Sequence, residues 1–104
     1  MENGTYSYDL EMMTPLGKRR GNLELSQYGG FLNGVLTMFT RTTPIQDGRC
    51  SGSHISFRGN MKTMMKHLPY QAEGELRENG LELQITTEQG QYPAKGVLVE
   101  KRRD

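Results

Sequence analysis

His54, His67 and Cys50 are the side chains best equipped for chemistry in this 104-residue chain, and each stands largely alone. A zinc site would need two or three further ligands at suitable spacing, and none flanks either histidine. His54 falls on the polar phase of an alternating segment beside Ser56 and Arg58, which reads as a surface histidine. Cys50 lies next to Arg49 in an irregular stretch. A neighbouring cation can lower a thiol pKa, but an idle loop thiol is the simpler reading. A serine, histidine and acid cannot be matched from chain order, because triads are defined by geometry. The glycines form neither GxGxxG nor GxxxxGK(S/T), so no phosphate-cradling loop is present. With no nucleophile, metal set or acid–base pair to name, an enzyme ranks behind a binding protein, and no cofactor is expected.

Binding then falls to apolar side chains, and these follow a simple rule of spacing. Tyr70, Ala72, Gly74 and Leu76 alternate with polar residues, as do Leu81, Leu83 and Ile85, and then Tyr92, Ala94, Gly96 and Leu98. Successive side chains of a strand point to opposite faces, so this period of two marks strands. Asn79 with Gly80, and then residues 88–90, supply the turns between them. The same alternation runs through Tyr6, Tyr8, Leu10 and Met12, then Leu23 and Leu25, and then Ile55, Phe57, Gly59, Met61, Thr63 and Met65. Met61, Met64, Met65 and Leu68 also have helical spacing, but strand is preferred because the flanking segments alternate. Pro44 argues against a central strand over residues 41–52, since proline cannot donate to a ladder. Asp47 with Gly48 reads as a turn there, and residues 101–104 as a frayed end.

Residues 31–40 are apolar on both sides: Leu32, Gly34, Leu36 and Met38 on one, Phe31, Val35 and Phe39 on the other. A strand apolar on both faces is covered on both. The second cover would be a terminal segment or another subunit.

Charge and cysteine content narrow the setting. The net charge is +1, so no overall field favours nucleic acid or a membrane. No stretch approaches the ~18 apolar residues of a helical span, and Phe57 and Tyr70 near the basic residues face inward rather than toward a nucleic acid. Charge is nevertheless segregated. Residues 41–70 carry five basic side chains against Asp47, and residues 71–90 five glutamates against Arg77. Pairing across adjacent strands explains this; a head-to-tail contact between molecules is the sharper alternative. Lys18, Arg19 and Arg20 read as a solvated hairpin tip. One cysteine rules out an internal disulfide and fits a reducing compartment. The start, MENGTYSYDLEMM, has no basic and apolar leader regions, so a cytoplasmic protein is expected.

Eight segments joined by short turns nearly exhaust the chain, which forms one domain over residues 1–104. The fold class expected is all-β, an antiparallel up-and-down meander barrel of about eight strands. The run TPLG, GNLEL, GGFLNGVL, ISFRG, LPYQAEGEL and LELQITTEQGQYPAKG resembles small bacterial calycin-like (lipocalin-like) barrels, whose strands tend to close on glycine. The lipocalin GxW signature is missing, since the chain has no tryptophan. The resemblance implies the fold and a tendency to enclose apolar ligands, and no particular functional residue.

Gly34, Gly59, Gly74 and Gly96 fall on the inward phase, where they either let the barrel coil tightly or leave space. In the second case a small apolar ligand would meet Tyr8, Leu36, Met38, Phe57, Met61, Tyr70 and Tyr92. Methionine adapts to varied apolar shapes and tyrosine adds a polar handle. The alternative is an interaction module: a homo-oligomer joined through Phe31, Val35, Phe39, Val97 and Val99.

Overall fold

Alternation becomes wall and core directly. The computed structural model describes residues 3–103. It contains eight strands: β1 (Gly4–Thr14), β2 (Gly17–Tyr28), β3 (Phe31–Met38), β4 (Arg41–Ser51), β5 (His54–Lys62), β6 (His67–Arg77), β7 (Gly80–Thr87) and β8 (Gly90–Arg103). Each pairs antiparallel with the next, and β1 pairs with β8, so the sheet closes into an up-and-down barrel. Closure removes the unpaired edges that an open sheet would offer to other chains. The inward phase of every strand feeds one apolar cluster, with Leu25 and Ile55 wholly buried and Leu36, Phe57 and Leu83 nearly so.

Closing so short a sheet demands bends, and these come from bulges and close backbone approaches. Register slips between Ser7 and Tyr8, between Leu32 and Val35, and between Gln46 and Arg49. The inward glycines settle between the two readings offered for them. A Cβ on Gly34 would lie 1.8 Å from the Glu24 carbonyl oxygen, and one on Gly74 1.8 Å from that of Glu82. At Gly59 the neighbour is the Tyr70 ring, and at Gly96 the side chains of Leu81 and Leu10. The glycines permit tight coiling, and what room they leave is filled.

Several local expectations are corrected. Residues 41–51 form a full strand inside the barrel, and Pro44 is accommodated opposite Val35, where β3 and β4 slip register. Asp47, at a φ of 52°, belongs to a bulge within β4 rather than a turn, with Arg58 Nε donating to its carboxylate. The β6–β7 turn is Glu78 and Asn79. Gly80 already belongs to β7, where a Cβ would meet the Gly96 carbonyl at 2.1 Å. Alternation in β5 stops at Met61, and Met65 lies in the turn, 91 % exposed. No helix forms at residues 60–68. Residues 101–103 are strand, paired with Gly4, Thr5 and Tyr6; Met1, Glu2 and Asp104 lie outside the described residues. Among the described residues no terminal segment covers β3, because β1 and β8 are staves of the barrel.

Candidate functional site: the apolar mouth

Up-and-down order sends alternate turns to opposite ends. The β1–β2, β3–β4, β5–β6 and β7–β8 turns share one end, here the upper end. The other three turns share the lower end with the start of β1 and the end of β8.

Three of the upper turns are built alike around a threonine. Thr14 Oγ1 donates to the Gly17 carbonyl at 2.7 Å and accepts the Leu16 N–H at 3.2 Å. Thr87 does the same with Gly90 (3.3 Å) and Gln89 (3.0 Å), and Thr63 with Lys66 (3.1 Å) and Met65 (3.3 Å). A hydroxyl that bonds its own turn gives the turn N–H a partner and adds a second donor to a carbonyl that closes the hairpin.

The fourth upper turn is strained. Phe39 and Thr40 both lie in the left-handed region, at φ 55° and 60°. A tight primed turn demands that conformation, and Asn-Gly usually provides it. A bulky aromatic and a β-branched residue adopt it only when surroundings hold them there. Phe39 is held by packing against the core. It is therefore not an outward residue of β3, as the alternation suggested.

Together these turns frame a concavity of about 560 Å³ at the upper end. Its apolar lining includes Met12, Leu16, Phe39, Met61, Leu68 and Tyr92, with Arg19 and Lys66 among the polar residues. Lys66 Nζ is 3.9 Å from Glu88, whereas Arg19 has no carboxylate partner among the described residues. The lower end has a smaller hollow of about 300 Å³, lined by Tyr6, Tyr8, Leu76, Leu98 and the charged residues Arg77, Glu78 and Lys101.

The residues expected to share one ligand pocket are thus dispersed. Met61 and Tyr92 reach the upper mouth, and Tyr8 the lower hollow. Leu36 and Met38 are core. Phe57 and Tyr70 pack edge to face, ring centroids 6.1 Å apart. The Tyr70 hydroxyl is buried without a hydrogen-bond partner among the described residues, and desolvation raises its pKa strongly. Burial, then Tyr6, then Cys50, push the Tyr8 phenol up to about 12.

Period-two reading missed Met12, Leu16 and Leu68 as lining residues, and it placed Phe39 on the outward face. For Leu16 and Phe39 the signal available was a different one: large apolar residues placed in turns, where solvent-facing loops have no use for them; Met12 and Leu68 lie on β1 and β6 and carry no such mark.

The proposed oligomer surface is dispersed as well. Phe31 lies on β3 beneath the Arg49 guanidinium, 4.8 Å from the ring centre, and Val35 is half-buried. Val97 and Val99 are exposed on β8, separated from β3 by β1 and β2. His54 sits outside the barrel between Glu73 (3.5 Å) and Glu75 (3.2 Å). The Glu75 carboxyl is held below its usual range by hydrogen bonds from Ser53 and His54. Of the five cations of residues 41–70, Lys66 alone pairs with a glutamate of residues 71–90 among the described residues, while Arg58 pairs with Asp47. Among the described residues no group of His, Cys, Asp and Glu could hold a metal ion. No protein-family model, curated protein or solved structure matches the chain, so what is assigned is the architecture: a closed, eight-stranded, antiparallel barrel of up-and-down order.

Proposed function

We propose that this protein is a non-enzymatic, calycin-like carrier that takes a small apolar ligand at the upper mouth rather than in the barrel interior. The single observation that carries the reading is the apolar concavity of about 560 Å³ ringed by strained and threonine-braced turns. Its volume lies within the ~300–1,000 Å³ range of small-molecule sites. Met12 and Met61 give it a lining that adapts to shape. Arg19 at the rim suits a ligand with an anionic or hydrogen-bonding head. The free Cys50 supports a reducing, cytoplasmic setting for this role.

Titration with a naphthalene-type hydrophobic fluorophore tests the proposal. One-to-one binding, competed by a medium-chain fatty acid and weakened about tenfold in Tyr92→Gln, is the expected result. Uptake that is absent, or indifferent to Tyr92→Gln, defeats it. Self-association has less support, because the exposed Phe31, Val97 and Val99 do not form one patch.

A further inference from the structure

Two features of the upper end exceed what holding a small ligand requires, although Leu16, Arg19 and Lys66 also line the mouth. The first is extreme apolar exposure. Leu16 is 84 % exposed and Met64 and Met65 are each 91 % exposed, more than any other large apolar side chain described. All three stand at turn tips on the same end of the barrel. The second is charge. Within four residues of the upper turns lie Lys18, Arg19, Arg20, Arg41, Lys62 and Lys66, against Glu11 and Glu88 alone. The same distance from the lower turns and from the ends of β1 and β8 takes in five cations and four carboxylates among the described residues. A chain of net charge +1 is thus an electrically polar object.

We propose that the upper end docks on an anionic lipid bilayer, with Leu16, Met64 and Met65 entering the headgroup layer and the cations facing lipid phosphates. Apolar tips beside cations at three of the four upper turns match such a surface, which is negative at its face and apolar a few ångströms below. A polyanion with no apolar layer would satisfy the charges and leave the tips in water. The contact is peripheral. The outer wall carries exposed Glu24, Arg58, Glu73, Glu82 and Lys95, where a spanning barrel needs an apolar band. Docking in this pose would set the apolar mouth against the lipid from which a carrier would load. It stands whether or not the mouth binds a ligand.

Flotation of the full chain with vesicles of phosphatidylcholine, alone or mixed with phosphatidylglycerol, tests this. Binding to the mixed vesicles only, weakening as salt rises, is expected. Each cation near an anionic surface is worth about fivefold in affinity, so Arg41→Gln with Lys62→Gln should lower binding about 25-fold. Met64→Ser with Met65→Ser should also lower vesicle binding while leaving retention on a heparin column unchanged. No binding, equal binding to both vesicles, or vesicle binding indifferent to the methionine pair would overturn the proposal; indifference with strong heparin retention would indicate an acidic macromolecule instead. None of these four residues lines the mouth. Fluorophore uptake in lipid-free buffer should therefore stay at the wild-type level, so failure of docking and failure of ligand binding are read separately.

Discussion

Replacing Gly74 by alanine should destabilise the barrel by about 3 kcal/mol, and the figure follows from where the new atom would sit. Its Cβ would lie 1.8 Å from the Glu82 carbonyl oxygen and 2.9 Å from the Leu83 Cα. Ordinary contact begins at 3.4 Å, so the strands must part by about 1.6 Å, the difference between the two distances. Both neighbours are backbone, so no side chain can swing aside. Overpacking of this kind costs typically 1–3 kcal/mol. Parting β6 from β7 also weakens the ladder hydrogen bonds flanking the Gly74–Leu83 pair, each worth about 1 kcal/mol net. A domain of this size has roughly 5–15 kcal/mol to lose. With a urea slope of about 1.5 kcal/mol/M, the midpoint should fall by about 2 M. Gly52→Ala is the control: nothing lies within 4 Å of its Cβ, and only the left-handed φ of 61° is penalised, by about 1 kcal/mol. A Gly74→Ala midpoint within 0.3 M of wild type, read as roughly 0.5 kcal/mol on that slope, would refute the claim that close backbone approach closes this barrel.

Other outcomes follow from buried or strained groups. Tyr70→Phe should be neutral or stabilising by up to about 1 kcal/mol, because the lost hydroxyl is buried and unpartnered; a loss above about 1 kcal/mol in urea melts would mean that the hydroxyl has a partner. Thr40→Asn should gain about 0.5–1 kcal/mol, since asparagine tolerates the left-handed conformation better than a β-branched residue, and a lower melting temperature would contradict this. Alkaline pH should unfold the protein through its phenols. The folded Tyr8 holds its proton up to about pH 12 and an unfolded tyrosine only to about 10, so this stability is complete below pH 10 and is lost as pH rises through 12. Tyrosinate absorbance rising together with loss of circular dichroism checks it, and full ionisation near pH 10 with the fold intact would not fit.

Strand content, the number of staves and the inward face were all legible in the amino-acid order. A period of two forces a side chain inward or outward whatever the strand pairs with, so Leu25, Ile55 and Leu83 could only be core once one face was buried. What alternation describes badly is the point where it stops. Phe39 continues the outward phase on paper, yet it lies in a turn whose left-handed backbone swings it onto the core. Met65 continues the inward phase and stands in solvent, because the chain has already turned at Thr63. Asp47 with Gly48 has the composition of a turn and forms a bulge, since only the neighbouring strands decide whether the chain reverses or merely bends.

By itself the sequence determined a closed meander and the residues that fill it, because both depend on local periodicity. Only the tertiary structure decided where the barrel is open and which way it is charged. Leu16, Phe39 and Met64 are distant in the chain, and Lys18 is far from Lys62. Antiparallel up-and-down order returns every second turn to the same end, and that geometry, not any run of residues, gathers them around one mouth.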